Sequence, residues 1–254
     1  MARSPGLWEE RKVIEQPRLV AQVRPVPQFQ VAPTTDEPVT GILLAGGRSQ
    51  RMGRDKAWVE MAGRPLVRWV LDALQMATES QVIVAREGGR AVARLEALGL
   101  PVVVDHFEAR GPLTGIHAGL KASGTDLNVV VACDLPLVSA HLLAYLAGVV
   151  GSWHAAVPYV GEGEPPDAPG TVRGQTARDA GLQPLLAAYR RACIAPLERL
   201  IASGPVPTTA LISVIRARII HPDAWRTVDP DGRSFFNVNT HEDLITAAQL
   251  LTRP

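Results

Sequence analysis

Residues 44–56 read LAGGRSQRMGRDK, a mixture of glycine and cationic side chains suited to holding polyphosphate. Gly46 and Gly47 lack Cβ atoms, so the backbone there can take positive φ and approach a ligand closely. Successive N–H groups in such a turn form an anion-binding concavity. Arg48, Arg51, Arg54 and Lys56 add charge, and arginine grips phosphate through two parallel hydrogen bonds. Two familiar phosphate loops do not fit. A P-loop places four residues between its glycines and a Lys-Ser/Thr pair directly after the second. Here five residues separate Gly47 from Gly53, and Arg54-Asp55 precede Lys56. A dinucleotide fingerprint needs G-x-G-x-x-G, which Gly46, Gly47 and Gly53 do not supply. The competing reading is a basic, solvated loop with no ligand. The residue types favour a nucleotide.

Polyphosphate chemistry calls for a divalent cation, and aspartates at strand ends are its natural ligands. Asp134 directly follows the apolar run 129–133, and Asp105 directly follows 102–104. Magnesium is a hard cation, held by one or two carboxylates together with substrate phosphates. The alternative for each aspartate is to cap the helix that follows. GPLTGI, 111–116, opens a helix whose free N–H groups can face a ligand; a tight entry turn is the plainer reading. FFNVNT, 235–240, sets Asn237 and Asn239 on one side of an extended segment. Amides there can bind metal, phosphate or heterocycle, or simply form an Asx turn before a helix. Cys133 ends an apolar strand with no histidine near it in sequence, which marks a small buried hydrophobe and not a nucleophile. None of the six histidines shows metal-ligand spacing; His106 neighbours Asp105, and His117 reads as a polar-face position on a helix.

These residues need a scaffold, and the chain supplies alternating elements from residue 39 onward. Strands are expected at 39–44, 81–85, 101–104 and 127–133, with a weaker fifth at 154–160. Helices are expected at 65–76, 89–98, 112–122 and 140–149. In the first helix Leu66, Trp69, Val70, Ala73 and Leu74 recur at helical spacing. This alternation predicts an α/β fold, a three-layer sandwich with a mostly parallel central sheet. Ligands of such sheets bind beyond the carboxyl ends of the strands, where the glycine loop lies. Further helices are expected at 185–201, 209–217 and 243–251, and a long surface loop at 161–181. The proline-punctuated residues 1–37 read as a flexible extension. The remainder, 38–254, reads as one domain.

Bulk properties narrow the function. A net charge of +1 argues against nucleic acid or membrane as main partner, so any basic site is local. Two cysteines are too few for a disulfide framework or a tetrahedral zinc site and suit a reducing cytoplasm. No signal-peptide core and no apolar run of membrane length occurs.

Taken together, LAGGRSQRMGRDK, GRPLVRWVLDAL, RGPLTGIHAGL, VVVACDLP and FFNVNTHEDL resemble the molybdenum cofactor guanylyltransferases, members of the nucleotidylyltransferase superfamily, which implies a Rossmann-like three-layer sandwich with a nucleotide half at about 38–135 and an acceptor half at about 136–254. The match runs in order over 39–150 and returns at 183–251. The resemblance implies transfer of GMP from GTP to molybdopterin-bound molybdenum cofactor, with release of pyrophosphate. It implies that Leu44, Ala45, Gly46 and Gly47 contact the nucleotide, that Arg51 and Lys56 hold the triphosphate, and that Asp105 touches the nucleotide. Asp134 would bind nucleotide and magnesium, and Asn237 and Asn239 would face the pterin acceptor. Implied partners are GTP, the molybdenum cofactor, and molybdoenzymes or cofactor-insertion proteins beyond it. The chain departs from the family pattern at Ala85-Arg86, where an asparagine is usual, and at His241, where proline is usual. Rival readings are a CTP-dependent cytidylyltransferase for the same cofactor, a sugar- or alcohol-phosphate nucleotidylyltransferase, and a non-catalytic nucleotide-binding module. Gly46-Gly47 leans toward GTP, since relatives using CTP more often show LAAG; intact Lys56 and Asp134 argue against a non-catalytic module.

Overall fold

The computed structural model describes residues 34–45, 55–86, 89–105, 111–161 and 181–252. Its strands are β1 (Val39–Leu44), β2 (Glu60–Met61), β3 (Arg64–Pro65), β4 (Ser80–Arg86), β5 (Val102–Asp105), β6 (Leu127–Ala132), β7 (Ala155–Pro158), β8 (Leu186–Arg190) and β9 (Ala217–Ile220). Its helices are α1 (Leu66–Ala77), α2 (Gly89–Glu96), α3 (Pro112–Ala122), α4 (Ala140–Val149), α5 (Ile194–Ala202), α6 (Ala210–Val214), α7 (Pro222–Trp225) and α8 (His241–Thr252). One sheet runs in the order β5-β4-β1-β6-β8-β7-β9. β1 pairs in parallel with both β4 and β6, and β4 with β5. Only β8 runs against its neighbours, β6 and β7. A small hairpin of β2 and β3 stands apart from this sheet.

The central strands are apolar on both faces because both faces are covered. On β1, Leu43 joins a core with Val70, Leu74, Leu142 and Leu146 of α1 and α4. Its neighbour Ile42 points the other way, into a core with Ile116, Leu120 and Leu197 of α3 and α5. The result is an α/β three-layer sandwich with a mostly parallel sheet. At Gly119 the fit between α3 and the sheet is close: an added Cβ would overlap Ile42 Cγ2 and stand 3.2 Å from Val84 Cγ2. A third cluster, Met61, Leu66, Trp69, Val238, Leu244 and Ala247, glues α8 and the hairpin to the start of α1.

Two expectations need correction. Residues 185–201, expected as one helix, form strand β8, a short 3-10 turn at Arg191–Cys193 and helix α5. Leu186, Ala187, Ala188 and Tyr189 are all buried, so their run carries no period-two signal, and leucine and alanine favour helix by propensity. Tertiary context wins: the open side of β6 accepts the segment as a partner from Leu127↔Arg190 to Val131↔Leu186. Residues 209–217 likewise split into α6 and the beginning of β9. Residues 1–33 of the expected extension and 162–180 of the expected loop lie outside the described residues. At the end of that extension Thr34 donates to the Ala144 carbonyl of α4, and Glu37 accepts two bonds from Arg190, both at 2.7 Å.

Candidate functional site

Because β1, β4, β5 and β6 are parallel, Leu44, Arg86, Asp105 and Ala132 all end at one sheet edge. A cleft of about 310 Å³ opens there. Leu44, Val84, Ala85, Pro112 and Leu185 give it apolar walls, while Lys56, Arg86, Asp105 and Asp134 supply charge. The sheet bonding continues just past the strands: Ala45 N–H donates to the Val84 carbonyl at 2.8 Å, and Cys133 N–H to the Leu44 carbonyl at 3.1 Å. These bonds hold the backbone behind the cleft in register.

Lys56 arrives on the short 3-10 turn Lys56–Trp58. The Asp55 side chain caps that turn by accepting from Ala57 N–H at 3.2 Å. Trp58 braces it under the Arg94 guanidinium, 4.0 Å from the ring centroid. The lysine is buried, 7% exposed, yet its ammonium is paired. Nζ donates to Asp134 Oδ2 at 2.8 Å and to Asn239 Oδ1 at 2.7 Å.

Asp134 follows β6 and faces this ammonium, and its backbone carbonyl has a second task. It accepts from Val238 N–H at 2.9 Å, which pins the segment before α8 to the end of β6. Val238 is fully buried beside Met61, Leu66 and Trp69, so the neighbouring Asn237 and Asn239 turn outward. The Asx-turn alternative does not describe this segment. Asn239 and Thr240 N–H groups both donate to Asp243 Oδ2 at 2.8 Å, and Asp243 N–H donates back to Thr240 Oγ1 at 3.1 Å. This reciprocal cap opens α8 and draws the Asp243 carboxyl below its ordinary pKa, the Asn239 N–H bond first among the causes. The Asn239 side chain is left for Lys56.

Asp105, the last residue of β5, accepts from the Thr114 hydroxyl, which also lies 2.7 Å from the Gly111 carbonyl. Gly111 and Pro112 begin α3 without a side-chain cap, so its N-terminal turn faces the cleft. Cys133 is buried, and desolvation, with the nearby Asp134 charge, pushes its thiol up to about 12. It is no nucleophile at neutral pH. His117 departs from the polar-face expectation: it is buried, with Nε2 3.1 Å from Glu198 of α5.

Of the residues singled out by sequence, Leu44, Lys56, Asp105 and Asp134 line the cleft, and Asn239 joins them through Lys56. Ala45 is buried behind Leu44, and Asn237 is exposed one residue before Val238. Gly46, Gly47, Arg48, Arg51, Arg54 and His106 lie outside the described residues. Thr114 and Leu185 were not anticipated. Thr114 sits inside the GPLTG stretch but has no motif of its own, and Leu185 was hidden in an expected helix.

Asp134 suits a hard divalent cation by its chemistry. It is a carboxylate at a strand end, its side chain 23% exposed, and Lys56 engages only one of its oxygens. No cluster of three or more histidine, cysteine or acidic side chains placed to hold a metal occurs among the described residues. That donor set fits a cation that completes its shell with phosphate oxygens.

Comparison with known proteins adds an independent line. The model of the MobA-like NTP transferase domain matches residues 41–217. The molybdenum cofactor guanylyltransferase of Desulfosudis oleivorans is 34% identical over 212 residues, covering 82% of this chain and 93% of its own. A protein named a probable molybdenum cofactor guanylyltransferase from Chloroflexus aggregans is 35% identical, covering 81% and 91%. Among solved structures, molybdopterin-guanine dinucleotide biosynthesis protein A from Archaeoglobus fulgidus superposes with a TM-score of 0.67 at 26% identity, covering 83% of this chain and 97% of that one.

Proposed function

This chain belongs to the MobA-like NTP transferase family, and we propose that within it the chain transfers GMP from GTP to the molybdenum cofactor carried on molybdopterin. The observation that carries this reading is the meeting of Lys56 and Asp134, 2.8 Å apart, at the mouth of the cleft. It is supported by relatives that bear the guanylyltransferase name over most of their length.

The acceptor's terminal phosphate oxygen forms a bond to the α-phosphorus of GTP. The bond from that phosphorus to the bridging oxygen breaks, and pyrophosphate departs with the electron pair. No protein nucleophile is needed, because phosphoryl-type transfer rests on positioning and on stabilising charge that develops on oxygen. Lys56 donates to the phosphates from a largely dry site, where a hydrogen bond to charge is strengthened. The base and ribose occupy the apolar end of the cleft between Leu44, Val84 and Pro112, with Asp105 positioned by Thr114 to accept from the nucleoside. Arg51, Gly46 and Gly47 add further contacts to the nucleotide on this reading. Asn237 and Asn239 face the acceptor. Magnesium, held by Asp134 and substrate phosphate oxygens, would supply Lewis-acid stabilisation of the phosphates. Both thiols, Cys133 and Cys193, are buried and free, which accords with a reducing cytoplasm. A molybdoenzyme or insertion protein would receive the product.

The test is pyrophosphate release from GTP and from CTP, side by side, with magnesium and purified pterin cofactor. Turnover with GTP well above CTP is expected. Preference for CTP, or release that ignores the pterin, overturns the reading.

A further inference from the structure

The Asn239 side chain makes a contact that binding an acceptor does not require. Its Oδ1 lies 2.7 Å from Lys56 Nζ. An ammonium carries three donors and no acceptor, so the amide oxygen, and not its nitrogen, must face the lysine. Asp134 Oδ2 takes a second N–H at 2.8 Å. Two of the three donors are thereby fixed in direction, and tetrahedral geometry at Nζ fixes the third. The lysine is 7% exposed, which leaves the ammonium little freedom to turn.

Asn239 is itself held from three sides. Its backbone N–H is bonded to Asp243 at 2.8 Å. The preceding Val238 is tied to the Asp134 carbonyl at 2.9 Å and fully buried. The following Thr240 shares the Asp243 carboxylate. An exposed asparagine anchored so firmly is well placed to orient another side chain.

We infer that Asn239 is a positioning residue for Lys56: its amide oxygen and Asp134 together aim the remaining ammonium N–H into the cleft, at the triphosphate. This rests on the guanylyltransferase reading and deepens it. The Asn239 Nδ2 keeps both of its hydrogens for the acceptor. One amide then serves both substrates, which separates its role from that of a residue touching the acceptor alone. A pure acceptor contact would leave nucleotide affinity untouched when no acceptor is present. Loss of a positioning contact lowers it, and does so only while Lys56 is there to be positioned.

The experiment is a double-mutant cycle on the full chain, read as GTP affinity by calorimetry with magnesium and without acceptor. Asn239→Ala is expected to weaken GTP about tenfold, the scale of one hydrogen bond to a charged group. In a Lys56→Gln background the same substitution should change GTP affinity by less than about twofold, because contacts that act through one another are not additive. A general loss of fold would move both backgrounds alike, and thermal melts of all four proteins check this. Wild-type affinity in Asn239→Ala overturns the inference, and so does an equal loss in both backgrounds. Should wild-type protein bind CTP in preference to GTP, the base assignment fails, and the same cycle run with CTP still decides the role of Asn239.

Discussion

Val238 donates its backbone N–H to the carbonyl of Asp134 across 2.9 Å. The segment before the last helix is thereby joined to the end of a central strand, and the two carry the groups that meet at Lys56 Nζ. The geometry around Lys56 depends on a contact between distant parts of the chain.

Asp134→Asn keeps the shape of the side chain and its contact with the lysine but removes a charge. Turnover should fall by about 10²-fold or more, the usual cost of a lost electrostatic contributor to a transition state. Manganese binding in the presence of GTP, followed by paramagnetic resonance, should weaken in parallel. Unchanged turnover would remove the aspartate from the reaction.

Thr114→Val is nearly isosteric and leaves Asp105 without the hydroxyl that orients it. KM for GTP should rise about fivefold to tenfold with a smaller change in kcat, as expected from one hydrogen bond to a carboxylate. Steady-state kinetics with GTP varied at saturating acceptor checks this.

Gly119→Ala inserts a methyl group against Ile42, which is completely buried and branched at the contact. Nothing there can swing aside. A loss of about 1–3 kcal/mol is expected, the range for overpacked cores, read from urea unfolding of the two proteins.

Burial pushes the Cys133 and Cys193 thiols up to about 12 from an ordinary value of 9.0. The unfolded chain loses these protons above about pH 9 while the folded chain retains them. Stability is therefore unaffected by them below that pH and falls as pH rises from about 9 toward 12. The Cys133→Ala, Cys193→Ala double variant should show a shallower alkaline decline in its urea midpoint, and thiol reagents should label the wild type only as it unfolds.

The strands on the parallel side of the sheet are largely legible in the sequence. Short apolar runs such as 129–133, too brief for a helix and rich in valine, favour central strands, and the strands β1, β4, β5 and β6 fall close to their expected places. Asp105 and Asp134 were found because parallel strands deliver their last residues to one edge. Past residue 160 the sequence pattern is weaker. Leu186 to Tyr189 shows the reason: once both faces of a strand are buried, its pattern is the same as that of a buried helix. The pairing of Asn239 with Lys56 was also invisible, because nothing local in NVNT records which distant side chain its amide meets. His117 was misread for a similar reason: α5, the helix that covers it, was itself expected in another form.

Synthesis proceeds from the amino terminus, so β1, β4, β5 and β6 leave the ribosome well before Val238 and Asn239. Those strands can pair with one another while the closing segment is still being made. Until it docks, Lys56 has one carboxylate beside it and no second anchor. The second anchor of Lys56 is therefore in place only once residues 238–243 have been made and have docked.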